Sequence, residues 1–157
     1  MTHVEIDALV PDFTVPATGE QEFRLADHRG RNIVLFFYPR ANTPGCSQEG
    51  QDFRDAHDDF AALDTMIVGI SRDGVKAQEN FKAKYDFPFP LLADRDETVC
   101  RLFDVIKQKN MYGRQVQGIE RSTFLIDREG VLRREWRKVR VKGHVDAVLE
   151  ATREIAG

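Results

Sequence analysis

The sequence predicts an α/β fold in which a central mixed sheet is flanked by helices and preceded by a β-hairpin. Two short runs, Ile33–Phe37 and Met66–Ile70, are apolar at consecutive positions rather than alternating, the pattern of strands buried on both faces of a sheet. Each run leads into a stretch with helical spacing. Phe53, Ala56, Phe60 and Leu63 mark one apolar stripe after the first run, and Val75–Tyr85 follows the second. Strand, helix, strand, helix in that order implies parallel pairing.

The remaining elements follow in chain order. Pro11–Pro16 and Glu22–Leu25, either side of the turn Gly19-Glu20, form the N-terminal hairpin. Asp27–Asn32 turns into the first buried strand, which runs to Tyr38. Phe87–Asp94 contains two prolines, each of which disfavours the helical region for its predecessor, so it is an extended connector ending in a short edge strand. A helix starts at about Asp96, with Val99, Leu102, Phe103 and Ile106 on its buried face and Cys100 beside them. Lys107–Ile119 has no apolar periodicity and is expected to be a loop. Glu120–Asp127 is a third core strand, turned by Arg128-Glu129-Gly130 into Val131–Trp136. The helix His144–Ile155 closes the chain.

A chain of 157 residues suits one domain, expected over 1–157, that buries roughly two thirds of its unfolded surface. Its 41% hydrophobic and 31% charged residues and net charge of −3 are ordinary for a soluble protein and argue against a nucleic-acid or membrane-surface role. Arg133–Lys142 carries six basic residues around Trp136. A solvated strand and connector fits it better than an RNA footprint, which needs a basic face with aromatic platforms. No apolar run approaches the about 18 residues of a membrane span, and Met1–Asp12 has no signal core. A cytoplasmic location is expected. The four histidines are scattered without ligand spacing, so neither a metal site nor a cofactor is expected.

Chemistry is concentrated in Pro39–Cys46, at the carboxyl end of the first buried strand, where parallel sheets gather catalytic groups. Thr43 suits the N-cap and Pro44 the first helical position, which puts Cys46 at the third. There its sulfur lies near unpaired backbone N–H groups and the positive end of the helix dipole, and both favour a thiolate. The alternative is a small buried hydrophobe, the commoner role of a free cysteine.

Pro39-x-x-x-Thr43-x-x-Cys46 directly after a strand resembles the active-site signature of the peroxiredoxins. Phe37–Cys46 as a whole is similar to the bacterioferritin comigratory protein (Q-type) branch, as are Val10-Pro11-Asp12-Phe13, Phe89–Asp94, Met111-Tyr112-Gly113 and Arg137–His144. The resemblance implies a thioredoxin-like fold and a thiol-dependent peroxidase acting on hydrogen peroxide and organic hydroperoxides, a monomer recycled by thioredoxin or a glutathione/glutaredoxin system. Peroxide reduction needs a thiolate in line with the O–O bond and donors for the charge that develops on oxygen. The resemblance makes Cys46 the nucleophile and Arg121 the cation beside it; the alternative for Arg121 is a surface arginine. Thr43 would orient the substrate, with Pro44 and Gly45 as substrate-binding residues. Pro39 would shape the pocket. Glu49 either holds an arginine or is a solvated helix residue.

Many members of this branch carry a resolving cysteine five residues after the peroxidatic one, where this chain has Gln51. Cys100 then resolves Cys46 within the chain, resolves it in a second subunit, or is structural. The structural role is favoured, and with it a single-cysteine cycle completed by an external thiol. Thioredoxin-like disulfide exchange would need Cys-x-x-Cys, and Thr43 stands where the first cysteine would be. A redox-inactive binding module of the same fold is disfavoured by the joint presence of Pro39, Thr43, Cys46 and Arg121.

Overall fold

The computed structural model describes residues 3–156, so the outermost residues of the expected 1–157 domain lie outside it. β1 (Thr14–Ala17) and β2 (Gln21–Arg24) are the antiparallel N-terminal hairpin, β3 (Asn32–Phe37) and β4 (Thr65–Ser71) are parallel neighbours, and β5 (Leu91–Ala93) runs parallel to β4. β6 (Ile106–Met111) and β7 (Arg114–Ile119) form a separate two-stranded ribbon. β8 (Ser122–Ile126) and β9 (Leu132–Trp136) complete a mixed seven-stranded sheet of order β2-β1-β5-β4-β3-β8-β9. The helices are α1 (Pro44–Asp55), α2 (His57–Ala61), α3 (Val75–Tyr85), α4 (Thr98–Leu102) and α5 (His144–Ala156). None among the described residues is long and apolar enough to cross a membrane.

β3 is buried at all six positions, as its unbroken apolar run requires, and its side chains alternate between two cores. Val34 and Phe36, with Tyr38 beyond the strand, pack with Cys46 and Phe53 of α1, Phe60 of α2, Phe81 of α3 and Val148 of α5. Ile33, Leu35 and Phe37 pack with the hairpin residues Val15 and Phe23 and with Val99, Cys100 and Phe103 in and after α4. The sheet therefore stands between the two cysteines.

Four local expectations are corrected. β5 is not an edge strand, because the hairpin closes over it: Ala17 pairs with Leu92, Thr18 N–H donates to Leu91 O at 3.0 Å, and Leu91 N–H donates to Thr18 Oγ1 at 3.1 Å. The helix after Cys46 is interrupted at Ala56 (φ −97°, ψ 3°), so its apolar stripe is shared between α1 and α2. α4 ends at Leu102, Asp104 turns left-handed (φ 54°), and Ile106 belongs to β6 instead of the α4 face. Lys107–Ile119 is not a loop but lies almost wholly in the ribbon. Its strands are largely solvent-exposed and have no apolar face to betray them. Their turn places Tyr112 and Gly113 at positive φ (53° and 77°), as the tight hairpin connection demands.

The basic stretch is solvated only in part. Arg133 and Arg134 pair with Asp127 and Glu154 at the surface, whereas Arg137 donates to the carbonyls of Phe103 and Asp104, both at 2.9 Å, and closes the end of α4.

Candidate active site

The loop after β3 is tied down before α1 begins. Ala41 N–H donates to Asp73 Oδ2 at 2.7 Å, and Asp73 also accepts the Ser71 hydroxyl at 2.6 Å. Asn42 adopts a left-handed conformation (φ 61°) that its short polar side chain tolerates, and its Oδ1 accepts Lys84 Nζ at 3.1 Å. Pro44 starts α1 and Cys46 is its third residue, as the spacing predicts. Thr43 occupies the N-cap in extended conformation (φ −101°, ψ 157°), but the expected capping bond is absent: its hydroxyl turns back and donates to Arg40 O at 2.9 Å. The helix ladder opens with Ser47 N–H to Thr43 O at 2.8 Å. Pro44 has no N–H, and the N–H groups of Gly45 and Cys46 have no acceptor among the described residues.

Arg121 immediately precedes β8. Ser122 pairs with Phe37 at the end of β3, so strand register delivers the guanidinium to the start of α1. Its Nη2 donates to Cys46 Sγ at 3.6 Å, and its Nη1 donates to Glu49 Oε1 at 2.8 Å. Glu49, one turn beyond Cys46, is wholly buried, which removes the solvated alternative for it. Gly45 makes room for this contact, since a Cβ there would lie 3.0 Å from Nη2. Burial works against the Arg121 cation, but Glu49 and Cys46 together overcome it and raise its pKa. Burial also pushes the Glu49 carboxyl up to about 7, against the charge and hydrogen bond of Arg121.

Two further residues join this cluster that sequence reasoning did not single out as functional. His144, the first residue of α5, places Nε2 3.9 Å from Glu49 Oε2 and 2.8 Å from Thr123 Oγ1. Burial, reinforced by Arg121, lowers its pKa to about 4, so its ring is neutral near pH 7. Nothing in the spacing of the histidines marks it. Only its place at the end of the Arg137–His144 segment draws attention to it.

Pro39 is half-buried and lines a shallow cleft of about 290 Å³ with Arg40, Arg72 and Glu97. Cys100 is fully buried and is not brought to Cys46. Its N–H and that of Val99 donate to Asp94 at 2.7 and 3.1 Å, and burial together with this carboxylate pushes its thiol strongly upward. Among the described residues no three His, Cys, Asp or Glu side chains gather as metal ligands.

The Cys46 sulfur thus lies beside a fixed cation, at a helix start that leaves two amides open among the described residues, a setting suited to receive a negatively charged oxygen. This arrangement on a thioredoxin-like sheet defines a thiol-based redox enzyme. Similarity to known proteins narrows that class. The profile of the AhpC/TSA family matches residues 6–135. Peroxiredoxin Bcp of Xanthomonas campestris is 50% identical over 148 residues, covering 94% of this chain and 92% of the relative. Peroxiredoxin Bcp of Bacillus subtilis is 44% identical over 153 residues, covering 98% of each. A solved structure of X. campestris peroxiredoxin Q superposes with a TM-score of 0.91 at 49% identity, covering 98% of both chains. A structure of the X. campestris bacterioferritin comigratory protein, solved for its alkyl peroxide reduction activity, gives 0.91 at 47% identity over the whole of both. The chain belongs to the AhpC/TSA family and, within it, to the Bcp or Q-type peroxiredoxins, which are thiol peroxidases.

Proposed function

We propose that Cys46 is the peroxidatic nucleophile and that Thr43, Arg121 and the first turn of α1 form the peroxide site. One observation carries this reading: Arg121 Nη2 lies 3.6 Å from Cys46 Sγ, where the helix start leaves two backbone N–H groups without acceptors among the described residues. The thiolate attacks one oxygen of the hydroperoxide, forming an S–O bond as the O–O bond breaks. The electron pair departs on the far oxygen, which takes up a proton. In net terms Cys46–SH and ROOH give Cys46–SOH and ROH, sulfur losing two electrons and the peroxide gaining them. Arg121 stabilises charge on sulfur and on the oxygens in transit, and the Gly45 and Cys46 N–H groups receive the departing oxygen. The Thr43 hydroxyl hydrogen is committed to Arg40 O, so its oxygen is free to accept the O–H of the hydroperoxide. Pro39 fixes the loop on the substrate side, and Pro44 sets the entry of α1.

The second half of the cycle uses an external thiol. Attack on the sulfenic acid releases water and leaves a mixed disulfide, and a second thiol then restores Cys46 and departs as a disulfide. Burial of Cys100 across the sheet supports this over resolution within the chain. Thioredoxin or a glutathione/glutaredoxin system supplies the thiols. Hydrogen peroxide and organic hydroperoxides are the substrates, in keeping with the alkyl peroxide reduction studied in the X. campestris relative.

The test is thiol-dependent peroxide consumption by two variants. Cys46→Ser is expected to be inactive, and Thr43→Val to lose about 100-fold in kcat/KM with unchanged thermal unfolding. Activity in Cys46→Ser would overturn the nucleophile, and an unchanged rate in Thr43→Val would remove the hydroxyl from the site.

A further inference from the structure

Glu49 presents Arg121 with only one of its two oxygens. Oε2 is the one buried side-chain nitrogen or oxygen among the described residues that has no hydrogen-bond partner, and it faces His144 Nε2 across 3.9 Å. The imidazole is itself fixed, with Thr123 Oγ1 2.8 Å from Nε2 and the rings of Phe53 and Trp136 edge-on to it. Three elements converge here: Glu49 from α1, Thr123 from β8 two residues after Arg121, and His144 from the first turn of α5. A buried carboxyl oxygen with no donor is costly, and such an atom calls for a role.

Resting on the assignment of Cys46 and Arg121 above, we propose that His144, held by Thr123, is a positioning residue of the peroxidatic centre that acts through Glu49 Oε2 on the charge of the carboxyl group orienting Arg121. With its proton on Nε2 the neutral imidazole donates to Thr123 Oγ1, and the positive end of that N–H dipole then lies near Oε2, 3.9 Å from Nε2, which favours the carboxylate. The carboxylate holds Arg121 Nη1, and the rigid fork of the guanidinium then keeps Nη2 at the sulfur. When Oε2 takes a proton, Arg121 loses its counter-charge.

Near neutral pH the group that changes charge in this pair is the carboxyl, since burial has moved Glu49 to about 7 and His144 to about 4. The charged and titratable groups around Glu49 are Cys46 and Asp52 on α1, Arg121 ahead of β8 and His144 on α5, while Lys109 of the ribbon acts on Cys46 and Arg121 from outside.

The experiment is the pH profile of kcat/KM for hydrogen peroxide in the wild type, His144→Phe and His144→Gln, each also made with Glu49→Gln. Phe keeps the ring and loses the donor; Gln restores an N–H at similar reach. His144→Phe is expected to move the acidic midpoint upward by about half to one pH unit, a three- to tenfold loss on that limb. His144→Gln should return most of it. With Glu49→Gln, where no carboxyl remains to titrate, His144→Phe should leave the midpoint in place. An unmoved midpoint in His144→Phe, an equal shift in His144→Gln, or the same shift in the Glu49→Gln background overturns the proposal. If His144→Phe does not fold, His144→Leu, which also removes the donor, is read against the same outcomes. Failure of the underlying assignment is seen separately, as peroxidase activity that survives Cys46→Ser.

Discussion

Cys46 and Cys100 are equally hidden, at 1% and 0% exposure, yet their settings are opposite. Cys46 Sγ lies 3.6 Å from a guanidinium nitrogen, whereas the Cys100 thiol lies against the Asp94 carboxylate within an apolar layer. Burial therefore does not distinguish the two thiols; the sign of the neighbouring charge does. Gly45 belongs to the same arrangement, because any side chain there meets Arg121 Nη2. Gly45→Ala is expected to shift the guanidinium by a few tenths of an ångström relative to the sulfur and lower the rate of peroxide reduction about two- to fivefold, with little change in thermal stability. Stopped-flow measurement of that rate checks it, and an unchanged rate would mean that Arg121 does not act from this position. The place of Cys46 was legible because a helix start is written in adjacent residues. The burial of Glu49 was not, since its partner Arg121 lies 72 positions away, and His144 was hidden for the same reason.

At the scale of elements, α1 carries the site on one end and is locked to the core by the rest. Gly50 sits against the edge of Phe87, whose ring is stacked between Tyr85 and Phe89 and so has no room to retreat. A Cβ at Gly50 would lie 2.4 Å from Phe87 Cζ. Gly50→Ala is expected to cost about 1–3 kcal/mol of unfolding free energy, measurable by urea denaturation, and to lower Tm by roughly 2–12 °C. A neutral effect would show that α1 shifts freely over the aromatic layer. Elements with a one-sided or doubly apolar pattern, such as β3, β4 and α5, were readable from their periods. The β6–β7 ribbon was not, because strands wetted on both faces carry no hydrophobic period. The inner position of β5 depends on the N-terminal hairpin reaching back to Leu92, a pairing that local sequence does not encode.

For the whole molecule, the buried pair Glu49 and His144 ties stability to pH in opposite senses. His144 has a folded pKa of about 4 against an ordinary 6.5, so the unfolded chain binds its proton first. Its contribution is complete above pH 6.5 and is lost as pH falls through about 4. Glu49 is raised from 4.5 to about 7, so here the folded chain binds the proton first. Its ionisation destabilises the fold above pH 7, and that penalty is relieved as pH falls toward 4.5. Between these limits the two slopes oppose one another. Glu49→Gln removes the relief, so on going from pH 7 to pH 4.5 the variant is expected to lose about 3 kcal/mol more than the wild type in urea unfolding. Parallel curves would contradict this. The sheet imposes the larger consequence, since it places Cys46 and Cys100 in opposite cores, and the single-cysteine cycle proposed above rests on that separation. The most direct test is intact mass after one equivalent of hydrogen peroxide with a sulfenic-acid trap present, comparing wild type with Cys100→Ser. Trap adducts at Cys46 in both proteins are the expected result. Loss of two hydrogens in the wild type, with the trap captured only by Cys100→Ser, would contradict the single-cysteine cycle, and no reaction at Cys46 in either would contradict its role as nucleophile.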